Sequence, residues 1–168
     1  MGNLVLNGQT VFTQTGTSPV EETTNIRRPN APGCYCRGYN TYTQTAVTTN
    51  HGNYNIWTYD EIEYNIGNHF DNDTGYFTAP YDGRYLISGN SGYKASEGYG
   101  GFGIVKNGDT ALFVQWSASV TNLNHAYNGG TLVCHLYEGD YIGVGHNASY
   151  IGPHSSTFYV AFSVYFLG

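Results

Sequence analysis

Apolar residues along this chain recur at every second position. In the C-terminal segment Phe158, Val160, Phe162, Val164 and Phe166 share one face, and Tyr159, Ala161, Ser163, Tyr165 and Leu167 share the other. Alternation of this kind marks β-strands, and no apolar stripe of helical period is sustained. Strands are predicted near residues 39–47, 54–64, 76–78, 83–93, 101–106, 111–119, 129–137, 140–147 and 157–167. Asn107-Gly108 separates two of them as a type I′ hairpin turn requires, and Gly139-Asp140 separates another pair. The fold class is therefore all-β. The second face of the last segment is itself mostly apolar, so that strand is expected to be covered on both sides.

The densest turn pattern lies in residues 64–86, YNIGNHFDNDTGYFTAPYDGRYL, which reads as strand, turn, strand, turn, strand. Asn65, Gly67, Asn68, Phe70, Asp71, Thr74, Gly75, Phe77, Thr78, Pro80, Gly83 and Tyr85 stand at the spacing N-x-G-N-x-aromatic-D-x-x-T-G-x-F-T-x-P-x-x-G-x-Y. This resembles the globular head domain of the complement C1q family, whose fold is shared with tumour necrosis factor. The resemblance extends over about residues 39–167. LVCHLYEGDYIGV at 132–144 resembles a further family segment, and AFSVYFL at 161–167 resembles the closing strand, with Val164 where the family has Gly. The resemblance implies a jelly-roll β-sandwich of the C1q/tumour-necrosis-factor type that works as a homotrimer. The second cover of the last strand is then a neighbouring subunit, with Tyr159, Tyr165 and Leu167 as trimer contacts. Asn65, Gly67, Asp71, Gly75, Phe77, Pro80, Gly83 and Tyr85 are its fold signature.

Residues 1–33 differ from the rest and are assigned to an N-terminal hairpin and extended arm, with 34–168 as the jelly-roll domain. Leu4-Val5-Leu6, Asn7-Gly8 and Thr10-Val11-Phe12 make a miniature strand, turn, strand. A lone two-stranded hairpin is marginal in water and must lean on something else. Residues 15–32, rich in Thr, Ser, Pro and Asn, read as an extended arm. The opening GNLVLNGQTVFTQTGTSP is similar to N-terminal segments of small virion proteins of tailed bacteriophages, where an arm anchors a trimeric head. A plain extra hairpin packed on the domain accounts for the same residues.

Composition narrows the partners. The 168 residues suit one domain with a small appendage, and 17 tyrosines and 8 phenylalanines supply apolar area to a chain with few charges. The net charge of −6 argues against a nucleic-acid partner held by phosphate neutralisation. No stretch approaches the roughly 20 apolar residues that a membrane-spanning helix needs, and the N-terminus lacks the pattern of a secretory leader. Of three cysteines, Cys34 and Cys36 are too close to pair with each other; either is able to meet Cys134. Cys134 alternates with Leu132 and Leu136 and suits a small buried hydrophobe.

Candidate chemistry is sparse. Asp71-Asn72-Asp73 begins like a calcium loop, but Tyr76 and Asp82 occupy the positions where an EF-hand needs Gly and Glu, so an Asx-rich turn fits better. Calcium thus has weak support, and no other cofactor has any. The six histidines lack metal-ligand spacing; His135 and His146 lie in predicted strands able to meet across a sheet. There is no GxSxG elbow, and Asp60, Glu61 and Glu63 read as ordinary solvated strand charges. Recognition loops are the better candidates: residues 91–101 and 121–130 mix Tyr, Asn, Ser and Gly, with Tyr93, Tyr99, Asn124 and Tyr127 as ligand-contacting residues. Trp57 and Trp116 are candidates to stack on sugars, although Trp116 alternates with Val114 and Ala118 and suits a core.

The expectation is a non-enzymatic trimeric structural or adhesion protein of a virus particle, a phage capsid decoration or a fibre or receptor-binding head. The arm would hold other virion proteins, and the head would meet a host-surface glycan or protein. The alternative is a free-standing extracellular recognition module.

Overall fold

A computed structural model describes residues 3–6, 9–13, 31–42, 47–93, 99–118, 126–147 and 160–168. The strands run β1 (Asn3–Leu6), β2 (Gln9–Thr13), β3 (Gly33–Tyr42), β4 (Val47–Thr49), β5 (Gly52–Ile66), β6 (Phe70–Asp71), β7 (Tyr76–Thr78), β8 (Gly83–Tyr93), β9 (Tyr99–Lys106), β10 (Thr110–Ala118), β11 (Ala126–Leu136), β12 (Tyr141–Asn147) and β13 (Val160–Phe166). β1 and β2 form a separate antiparallel pair, and no helix occurs among the described residues.

The remaining strands fold as a jelly-roll sandwich. One sheet has the order β5-β3-β13-β8-β11, and the other runs β10-β9-β12-β5, with β4 on β5, β7 on β12 and β6 on β7. All these pairings are antiparallel. β5 belongs to both sheets. Its residues Tyr54, Asn55 and Ile56 face Asn147, His146 and Gly145 of β12, and from Trp57 onward it pairs with β3. Between the sheets lies the main core, where Phe162 is fully buried with Tyr59 stacked on it at 6.1 Å and Phe70 at 5.9 Å. A smaller cluster of Tyr54, Ile56, Val105 and Ala111 is joined by Val47 of β4.

Local turn chemistry sets the register. Asn107 and Gly108 have φ of 53° and 70°, the left-handed pair that a type I′ turn needs between β9 and β10. At Gly75, φ is 74° and an added Cβ would collide with the Trp57 carbonyl, so only Gly fits there.

Two predicted segments come out differently. The strand expected at 39–47 starts at Gly33, stops at Tyr42 and resumes as β4, which folds back on β5. Cys34 and Cys36 face the core, continuing the alternation upstream of the predicted start. The short strand β6 was not predicted, since two residues carry no period. Asp140 lies in the turn before β12 because its carboxylate is engaged there by other turn residues.

Candidate functional site

The five-stranded sheet has one face on the core and one open face. Along β13, Val160, Phe162, Val164 and Phe166 are buried, while Tyr165 is 45% exposed, and Leu167 just beyond the strand is 47% exposed. Within the single chain the last strand is thus covered on one side only.

Rows of outward side chains cross the open face in register. Tyr165 stands opposite Leu86, and Leu86 opposite Val133, which is 55% exposed. The next row is Tyr64, Tyr35, Ser163, Ser88 and Thr131, with the two tyrosine rings 6.3 Å apart and the Ser88 and Thr131 hydroxyls 2.9 Å apart. A third row holds Glu61, Arg37, Ala161, Asn90 and Gly129. Arg37 forms ion pairs with Glu61 at 2.5 Å and Glu63 at 2.6 Å. The face grades from apolar through hydroxyl to charged. Such a surface suits burial against another protein surface, its tyrosines supplying area and its hydroxyls hydrogen bonds.

Glu61 and Glu63, expected as plain solvated charges, instead bracket one guanidinium. Sequence reasoning passed over Arg37 because its partners depend on the β3–β5 register, which shifts between Tyr35 and Cys36. The only early sign was alternation, which puts Arg37 on the same face as Tyr35.

The proposed ligand-contacting residues fall at strand ends. Tyr93 closes β8 opposite Ala126, Tyr127 lies opposite Gly92, and Tyr99 opens β9 opposite Ala118. At that end the Gln115 side-chain oxygen accepts the Gly129 N–H at 3.0 Å, tying β10 to β11. The side chains of Tyr93, Tyr99 and Tyr127, and all of Asn124 and Tyr159, lie outside the described residues. So do the Trp116 side chain, His125, His154 and the arm residues 14–30.

The turn residues of 64–86 are bound up in backbone support. The Asn65 amide accepts from Phe70 N–H at 3.0 Å and donates to the Phe70 carbonyl at 2.8 Å. Asn72 makes the same two-point contact with the Tyr59 backbone, both bonds at 2.8 Å, imitating a strand partner. The Asp71 carboxylate accepts the Asp73 N–H, the Gly75 N–H bonds the Asp71 carbonyl, and the Tyr85 hydroxyl donates to the Tyr81 carbonyl. Asn72 therefore turns its amide to Tyr59, which argues against its serving as a calcium ligand. No group of three or more metal-competent side chains occurs among the described residues.

Several single candidates are relocated. Trp57 is fully buried, so it has no face to offer a sugar. His135 and His146 do not meet: His135 is exposed on β11 in one sheet, whereas His146 is buried on β12 in the other. The Trp57 indole N–H donates to His146 Nδ1 at 2.8 Å. Burial pushes the imidazole down from 6.5 to about 4.

Cys34, Cys36 and Cys134 are all free thiols. The neighbouring Cys36 thiol, together with burial, raises Cys34 far above the ordinary thiol range, and burial raises Cys134, so neither is a poised nucleophile. At the opposite end from Tyr93, Asp140 accepts from Asn107 Nδ2 and Tyr137 N–H, both at 2.8 Å, and meets Lys106 Nζ at 2.6 Å. Burial opposes its charge, but these bonds prevail and hold its carboxyl below 3.8.

No curated protein shows a match to this sequence. Among solved structures, the globular domain of zebrafish complement 1qA protein superposes with a TM-score of 0.61 at 16% identity, covering 82% of this chain and 98% of that one. Murine APRIL at pH 5.0 gives a TM-score of 0.63 at 14% identity, over 82% and 99%. These likenesses concern the fold. The sequence profile of the C1q domain matches residues 39–167, well over half of the chain, and the protein belongs to the C1q domain family.

Proposed function

We propose that the chain is a non-enzymatic homotrimeric head for structural or adhesive work, carried on a virus particle by its arm, residues 1–33. The observation that carries the trimer is the open sheet face, where Tyr165, Leu86 and Val133 stand side by side in register. Two further copies of the chain are the occupants of that face. Three equivalent heads on one base multiply weak contacts by avidity. The strand ends around Tyr93, Tyr99 and Tyr127, together with Asn124, are where a host-surface glycan or protein would be held. Attachment to a particle rests on the likeness of the N-terminal residues to phage virion arms.

Light scattering tests the assembly. Three copies of 18.4 kDa give about 55 kDa, and a monodisperse 18.4 kDa species at micromolar concentration sinks the proposal. Deleting residues 1–33 tests the arm: the head should still assemble while losing its hold on particles.

A free-standing extracellular recognition module is the second reading. It is favoured by the extent of the zebrafish complement likeness, which covers 98% of that globular domain. Unchanged localisation of the arm-deleted protein decides for it.

A further inference from the structure

We propose that the Trp57–His146 pair is an acid-released clasp holding the two sheets together where β5 crosses between them. Trp57 is the residue at which β5 leaves β12 and joins β3, opposite Tyr42. The ladder between β5 and β12 is only three pairs long, Tyr54 with Asn147, Asn55 with His146 and Ile56 with Gly145. A side-chain bond from Trp57, on the first-sheet side of the crossing, to His146 of the second sheet therefore reinforces a short seam.

The bond has only one compatible protonation state. Trp57 Nε1 is a donor and nothing else, so His146 Nδ1 must accept and the neutral ring carries its proton on Nε2. Nε2 lies 3.4 Å from Asn55 Nδ2, so in this tautomer the Nε2 proton is met by Asn55 when its amide is turned over to present the oxygen. A proton on Nδ1 sets two N–H groups against each other across 2.8 Å, and the bond is lost. The indole is fully buried and the imidazole 3% exposed, with the ring planes within 22° of parallel and their centroids 6.2 Å apart, so water cannot readily replace what is lost.

Among the described residues on the strands paired beside His146, the register sets no charged side chain opposite the ring. β5 presents Asn55 and Trp57, and β9 presents Phe102 opposite His146. Lys106 of β9 is four positions further along, opposite Ile142, and Asp60 of β5 is exposed. Tyr54 of β5 is buried with its phenol pushed up, so it stays neutral, and His51 is exposed in the turn before β5.

The direction of the effect follows from linkage. The folded imidazole titrates near 4 and the unfolded one near 6.5, so the unfolded chain binds the extra proton between those values. Stability is intact above about pH 6.5, falls as pH drops and levels out below about 4. The folding equilibrium constant should fall about 30-fold by pH 5 from this group, and up to about 300-fold at the limit.

Urea unfolding of the full chain at pH 7.5 and pH 5.0, against His146→Asn, isolates the term from the other titrating groups. Asn keeps an acceptor without a proton to gain, so the wild type should lose about 30-fold more than the variant. Equal losses overturn the proposal. If the variant does not fold, NMR on the wild type decides: the Trp57 indole resonance, assigned with Trp116→Phe, should hold steady through pH 6 and move near pH 4. Movement centred on pH 6.5 overturns it.

Discussion

The two faces of the sheet β5-β3-β13-β8-β11 are built from the same strands and differ in what they leave undone. On the inner face Phe162, Val164, Ile87 and Tyr85 are fully buried by the opposite sheet. On the outer face, one residue away along each strand, Tyr165 and Leu86 are 45% and 37% exposed, and Ser163 and Ser88 lie between them and the charged row. The inner face is finished within one chain; the outer face is apolar enough to want a partner and polar enough to tolerate its absence. The inner face makes the fold, and the outer face is where proposed assembly belongs.

Substitutions separate the two. Phe162→Ala, on the inner face, should destabilise by about 3–5 kcal/mol, read as a lower urea midpoint, because it empties a site between Tyr59 and Phe70. A loss under about 1 kcal/mol breaks the contrast. Asn72→Ala should cost about 1–3 kcal/mol in the same measurement, since both Tyr59 backbone groups lose a partner. Tyr165→Asp should change the stability of an isolated head by only about 0.5 kcal/mol, the least of the three. Its consequence belongs to mass: the scattering species should drop to 18.4 kDa at micromolar concentration. Retention of a trimer by this variant would place the assembly surface elsewhere.

The fold was legible early because its signals are local. Alternation in 160–166 needs no knowledge of other strands, and Asn107-Gly108 or Gly75 declare their turns through the backbone they demand. The signature residues at 64–86 were read as fold markers, and Asn65, Asp71 and Tyr85 prove to be held by bonds spanning two to five positions. Site features were less legible. Trp57 looked like a sugar platform until burial removed it, and its bond to His146 spans 89 positions, a distance at which composition and spacing are silent. The Arg37 cluster depends on the β3–β5 register, whose shift between Tyr35 and Cys36 no residue type announces.

By itself, the sequence determined that the chain is all-β, where most strands lie and which family pattern they follow, because period and turn chemistry act within a few residues. Tertiary structure alone decided that β5 serves both sheets, that His146 meets Trp57, and that Glu61 and Glu63 share Arg37. The reason is physical. A strand's alternation says which side chains share a face, but register and bulges decide which strand stands opposite, and those are set by packing the whole sandwich at once.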